Sequence, residues 1–273
     1  PGAFAPRAVL AWRLLVGAAV LLAYAVWRYR REALPAPRDL AALAGLSVLG
    51  STVNQLLFLE GLSRSTAVNA GLLITVIPVA TLLMAAAAGQ ERLTRRRVFG
   101  VSLAVLGVAW MFVHGGAQLG SADTSLGDLM MVGNAVAYSA YLVLAKPVLR
   151  RLPQPVVLAW VFAFGALGLP WITDGVTWAP EGTDGVAWWA LVGVLLGPTL
   201  LSYLGNIVVL SRTHASTTAA YVMLQPLIAA VLGITVLGER PDPALLVTAV
   251  CVLSGLWFVS TKGRWQPRPA QPG

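Results

Sequence analysis

Charged side chains are scarce in this chain: Asp, Glu, Lys and Arg make up 11% of its 273 residues, where a soluble domain carries about a quarter. With 58% hydrophobic residues and a mean hydropathy of +0.76, that deficit excludes a soluble globular protein and predicts a polytopic membrane protein. Cysteine is nearly absent. The single Cys251 permits no internal disulfide, leaves the redox compartment unread, and is expected to be an inert small residue of the last apolar run. Histidine is limited to His114 and His214, which fall at opposite faces of the expected topology and so cannot share a metal site. The chain has no P-loop and no GxSxG motif, hence no nucleotide site to drive work and no serine-hydrolase elbow. Enzymatic activity is not expected, no cofactor or metal is implied, and any transport must use a gradient or run downhill.

Nine apolar runs are present, at 8–27, 40–62, 66–88, 97–113, 126–148, 155–173, 186–210, 214–237 and 243–260, each near the length of about 20 residues that a membrane helix needs. The net charge of +8 does not indicate nucleic acid, because the basic residues sit in short clusters between these runs. Arg28, Arg30, Arg31 and Arg38, then Arg92, Arg95, Arg96 and Arg97, then Lys146, Arg150 and Arg151, and finally Lys262, Arg264 and Arg268 all fall on one side. The opposite side holds Arg7, Arg64 and Arg240 together with Asp123, Asp128, Asp174, Glu181, Asp184, Glu239 and Asp242. The basic side is therefore expected to be cytoplasmic, with the C-terminus there, in the plasma membrane. Trp171, Trp178, Trp188 and Trp189 flank an outer loop and read as interfacial anchors.

The chain also repeats itself. With an offset of 148 (226 − 78 = 148), Leu62, Ser63, Arg64, Ala67, Pro78, Glu91 and Arg92 fall on Leu210, Ser211, Arg212, Ala215, Pro226, Glu239 and Arg240. Shifting the run at 126–148 back by the same 148 places its counterpart before Pro1. The expected architecture is thus an all-α fold of ten helices in two inverted sets of five, with the first helix absent from this chain. Residues 1–120 form the first set, residues 121–260 the second, and residues 261–273 a disordered basic cytoplasmic tail.

Several of these features resemble the EamA-like family of the drug/metabolite transporter superfamily. They are Pro6 with Arg13, the stretch Thr66, Ala67, Val68, Asn69, Ala70 leading to Ile77 and Pro78, and Gly89, Gln90, Glu91, Arg92, Leu93. In the second half they are Ser216, Thr217, Thr218, Ala219, Ala220, then Gln225 with Pro226, and Leu237, Gly238, Glu239, Arg240. Gln90 and Glu60 depart from the family's usual glycine and its usual aromatic or apolar residue. The resemblance implies a ten-helix carrier of small metabolites that works by alternating access, and it names no cargo.

Polar residues inside apolar runs identify a candidate site. Asn134, Tyr138 and Tyr141 share one helix face at i, i+4 and i+7, as do Thr199, Tyr203 and Asn206; Thr218, Tyr221 and Gln225; and Ser47, Ser51 and Asn54, with Gln55 alongside. Each stripe alone could be interhelical glue; four at similar depth favour a shared cavity for cargo with an apolar body and a few polar groups. Pro78 and Pro226 interrupt their helices and are candidate hinges, with the carbonyls of Ile74 and Val222 freed for cargo or water, or else static kinks. Arg13 and Glu60 lie at similar depth and could pair; the alternatives are a local Glu60–Arg64 pair, an anion anchor at Arg13, or a proton-coupling acid at Glu60. Glu91 with Arg92, and Glu239 with Arg240, are expected to tie helix ends at two gates. Gly193 and Gly197 have GxxxG spacing and are expected to pack inside the bundle.

The leading expectation is a secondary transporter or facilitator of a small metabolite, as a monomer or homodimer in the lipid bilayer, with export preferred. Its rival is a non-transporting membrane scaffold or partner-binding subunit, in which the polar stripes would be satisfied between helices and no cavity would exist.

Overall fold

The computed structural model describes residues 4–114, 124–179, 184–237 and 243–260, and every regular element among them is helical. Helices are the outcome lipid demands, since each backbone N–H and C=O must find its partner within the segment. Six are long and apolar enough to cross a membrane: α1 (Pro6–Ala33), α2 (Pro37–Arg64), α3 (Val68–Ala87), α4 (Arg95–His114), α5 (Ser125–Leu149) and α7 (Gly185–Arg212). The other three are shorter or broken: α6 (Gln154–Leu167), α8 (Ala215–Tyr221 continued by Leu224–Leu237) and α9 (Pro243–Ser260). Residues 261–273, Glu239 and Arg240 lie outside the described residues.

Local chemistry sets the boundaries. Pro6 and Pro37 stand in the first turns of α1 and α2, where a proline loses no intrahelical bond. The Thr66 hydroxyl accepts from the Asn69 amide at 3.0 Å and opens α3, and the Asp184 carboxylate accepts from the Ala187 amide at 2.8 Å and opens α7. Gly89, at φ +66°, turns the chain after α3, a conformation open to glycine at little cost. The run expected at 155–173 is divided, because α6 stops at Leu167 and only a short turn, Leu169–Ile172, follows. Pro170 has no amide hydrogen to donate to the carbonyl four residues earlier, which interrupts the helical ladder at this point.

Irregularities recur at the offset read from the sequence. α2 passes through a π-helical turn at Val48–Val53 and α7 through one at Leu195–Leu201. α3 breaks after Leu73 and resumes at Val76, and α8 breaks after Tyr221 and resumes at Leu224 (221 − 73 = 148; 224 − 76 = 148). Pro78 and Pro226 sit just past the two breaks and withhold the amide hydrogens that Ile74 and Val222 would have accepted. Those carbonyls are not left open, which corrects the expectation: Ile77 donates to Ile74 and Gln225 to Val222, both at 3.0 Å. Each break is a tightened turn that satisfies its own backbone.

The helices meet where side chains are small. A Cβ added to Gly100 of α4 would lie 2.7 Å from the Gly255 carbonyl oxygen of α9, so these two backbones are in contact. Likewise Gly17 of α1 leaves a notch for the Phe162 ring of α6, and Gly61 of α2 lies against Gly127 of α5. Cys251 is half-buried against Gly107. Gly193 and Gly197 behave differently from expectation: nothing lies within 4 Å of a Cβ at either. Only 11% of the apolar window of α7 is buried, so their face points away from the other described helices.

Candidate functional site

A cavity of about 250 Å³ opens among α1, α2, α3, α5, α7 and α8. The π-helical turn of α2 delivers Asn54 and Gln55 to it, and the turn of α7 delivers Pro198 and, just beyond, Ser202, Tyr203 and Asn206. Such turns shift the side chains that follow them around the helix, and they gather at functional sites. Asn134 and Tyr138 come from α5, Gln225 from α8 and Arg13 from α1; Phe58, Ile74, Ile77 and Val222 supply apolar wall. Seven of the nine sequence-proposed binding residues therefore converge: Asn54, Gln55, Asn134, Tyr138, Tyr203, Asn206 and Gln225.

Two do not. Tyr141 is only 3% exposed and stacks on Tyr138, with ring centroids 6.0 Å apart, and its ring occupies the notch left by Gly50. At i+7 it has turned from the cavity into the core. Tyr221, the last residue before the break in α8, is 43% exposed and lies off the cavity, because the tightened turn rotates it away from Gln225. Several stripe members serve as glue. Ser51 donates to the Ser47 and Val161 carbonyls, and Thr218 donates to the His214 carbonyl. Thr199 donates to Val194 at 2.9 Å, replacing the amide bond that Pro198 cannot make.

Within the site, Asn134 donates to the Asn54 carbonyl at 2.8 Å and Asn54 returns a bond to the Asn134 carbonyl at 3.4 Å, a reciprocal brace between α2 and α5. Tyr203 donates to the Gly50 carbonyl at 3.3 Å and meets Phe162 edge to face, centroids 5.0 Å apart. Gln55 adjoins Tyr203, yet neither its amide nitrogen nor its oxygen makes a hydrogen bond of ordinary geometry. Arg13 does not pair with Glu60. Glu60 is taken by Arg7 at 3.0 Å and Arg64 at 2.7 Å, because Arg7 lies about 9 Å nearer the end of α1 at 1.5 Å per residue and reaches it first.

At the basic end, Glu91 is buried and accepts from Arg97 at 3.0 Å and from the Ser216 amide at 3.1 Å, with the Ser216 hydroxyl also donating to it. The tie expected there thus exists with Arg97, while the adjacent Arg92 is exposed. Lys146 donates to the carbonyls of Leu210 and Thr213, closing the end of α7. Gln90 donates to Val143 at 3.0 Å. Around Glu91 lies a second cavity of about 280 Å³ that includes Arg92, Arg96, Arg97 and His214. Burial first, and then Arg97, pushes the His214 imidazole below its usual 6.5. At the other end, Asp128 accepts from Ser65, Asn69 and Thr124.

Sequence reading missed Lys146 and Asp128 as structural ties, having counted them only toward topology, and missed Pro198 and Ser202 in the wall. The signal for Pro198 was present: a proline in mid-span is followed by a threonine able to replace its hydrogen bond.

These features define a multi-pass helical membrane protein with a polar cavity at its centre. The chain belongs to the EamA-like transporter family, whose model matches residues 2–113 and 125–261. It is 25% identical over 257 residues to an uncharacterized transporter of Archaeoglobus fulgidus, covering 92% of this chain and 86% of that protein. It is 27% identical over 244 residues to a probable terminal-alkyne amino-acid exporter of Streptantibioticus cattleyicolor, covering 88% and 80%. A protein of known crystal structure shares the fold with a TM-score of 0.77 at 21% identity, covering 95% of this chain and 88% of that one.

Proposed function

We propose that the protein is a secondary carrier that moves a small amphipathic compound through the central cavity by alternating access. The observation that carries this reading is the convergence of polar side chains from α1, α2, α5, α7 and α8 on one space of about 250 Å³ inside an apolar bundle. A scaffold would satisfy such groups between helices, as Ser51 is satisfied; the Arg13 Nε has no hydrogen bond among the described residues, and Gln55, beside Tyr203, has none of ordinary geometry.

The recurrence of the helix breaks at one offset, and of the π-helical turns within one residue of it, and the two stretches matched by the family model, support a duplicated and inverted unit of five helices. In this reading the breaks beside Pro78 and Pro226 are the hinges. The ties of Glu91 to Ser216 and of Lys146 to Thr213 hold the basic end closed and release as that end opens, with Arg92, Glu239, Arg240 and Glu60 as further charged groups at the two gates. With the basic side cytoplasmic, the exporter among the relatives supports outward flux.

Cysteine labelling tests the cavity. In a Cys251→Ser background, Tyr138→Cys and Gln225→Cys are expected to react with a small charged membrane-impermeant thiol reagent, and Leu43→Cys, at a site with no exposure, is expected to stay silent. Two unreactive cavity positions in a folded protein would count against a water-filled carrier path.

A further inference from the structure

Arg13 is 8% exposed, lines the central cavity, and forms no ion pair with a carboxylate among the described residues, where Glu60 is occupied by Arg7 and Arg64. Its one hydrogen-bond partner among the described residues is the Pro198 carbonyl at a long 3.5 Å, and its Nε has none there. A guanidinium stays charged in proteins. A charge within a membrane bundle faces water, a ligand or an opposite charge, because nothing else offsets its desolvation. With no opposite charge supplied among the described residues, the partner is something that enters the cavity.

We propose that Arg13 is the counter-ion for a carboxylate on the cargo. A planar guanidinium meets a carboxylate in two parallel hydrogen bonds, and the unengaged Nε is one edge of that fork. The Gln55 amide, beside Tyr203 but without a hydrogen bond of ordinary geometry, is available to a second polar group, and Phe58, Ile74 and Val222 receive the apolar body. A space of about 250 Å³ holds roughly eight waters at about 30 Å³ each, which suits a monocarboxylate of amino-acid or arylalkanoate size. Glu60, pinned between two arginines, is positioned to hold the end of α1 against α2 and not to share this ligand. The inference rests on the carrier reading and adds the charge of what is carried.

The test is thermal stabilisation of the purified full-length protein by matched pairs that differ only at the anionic group: phenylalanine against phenylalaninamide, and hydrocinnamate against hydrocinnamamide. The acids are expected to raise the unfolding temperature and the amides not to. Arg13→Gln is expected to abolish the difference, and Arg13→Lys to weaken half-saturation by about tenfold or more, since the bidentate fork is lost. The empty Arg13→Gln protein is expected to unfold no earlier than wild type, because only the long 3.5 Å bond to Pro198 is lost; an earlier transition together with unchanged acid binding would make Arg13 structural and overturn the proposal. Equal stabilisation by acids and amides, removed by Tyr138→Ala, would overturn the anchor and leave the cavity as a binding site. Failure of every carboxylate to stabilise wild type would overturn the anchor, and the carrier reading would then be judged separately by metabolite redistribution.

Discussion

The Glu91 carboxylate accepts the Ser216 amide hydrogen at 3.1 Å, joining the loop after α3 to the first turn of α8 across 125 residues of chain. An acid at a helix N-terminus gains from the free amides there, and Arg97 at 3.0 Å balances its charge. Neither partner is Arg92, the neighbour of Glu91 in sequence.

Glu91→Ala removes that junction and leaves Arg97 without its counter-charge. Removing one member of a buried pair costs about 3–5 kcal/mol, and the Arg97 side chain is only 13% exposed, so a loss near the lower figure is expected. Thermal unfolding of the purified protein reads it directly. An unshifted transition would mean that the junction contributes nothing to the resting fold.

His214 gives the same region a pH dependence. Its imidazole is held below 6.5 by burial and by Arg97, with Lys146 acting in the same sense and Glu91 opposing. The folded protein therefore takes up a proton at this position less readily than the unfolded chain. The stability tied to neutral His214 is complete above pH 6.5 and is lost as pH falls below 6.5 toward the lowered folded value. His214→Gln is expected to unfold with a shallower dependence on pH in that window than wild type. Parallel pH profiles would exclude His214 as the source.

Glycine substitutions separate helix contacts from open faces. A Cβ at Gly100 would come within 2.7 Å of a backbone oxygen of α9, which cannot move without shifting the whole helix. Gly100→Ala is expected to destabilise by about 1–3 kcal/mol, the usual cost of overpacking. Gly197→Ala meets nothing within 4 Å and is expected to leave the unfolding temperature of the monomer unchanged. A marked loss from Gly197→Ala would reveal a partner on the exposed face of α7.

Thr199 replaces the hydrogen bond that Pro198 withholds, donating to Val194 at 2.9 Å. Thr199→Val keeps the shape and removes this side-chain bond, a loss of about 0.5–1.5 kcal/mol. Adding Pro198→Ala restores an amide donor and is expected to recover part of the loss. A double variant less stable than Thr199→Val would show that the π-helical turn depends on the proline itself.

Much of the fold could be read from residue order because lipid leaves few options: long apolar runs become helices, and a repeat in sequence predicts a repeat in irregularity. The positions of Pro78 and Pro226 foretold the two breaks. What periodicity could not foretell was the rotation that each break and π-helical turn imposes. That rotation brings Pro198 and Ser202 into the cavity wall and keeps Tyr221 out. Ion-pair choice was equally hidden. Arg13 and Glu60 stand at matching depths in sequence, but the competition from Arg7 depends on how α1 rolls against α2. Lys146 escaped notice because its partners are backbone carbonyls 64 and 67 residues away, which no side-chain pattern encodes.

The central claim is that cargo passes through the cavity bounded by Tyr138 and Gln225. It is tested most directly by comparing metabolites inside and outside cells that express the full-length protein, with a Tyr138→Ala, Gln225→Ala variant of matched abundance beside it. The account predicts at least one compound redistributed by the intact protein alone. Equal redistribution by both proteins would contradict the cavity as the path, and redistribution by neither, over a broad metabolite set, would contradict carriage itself.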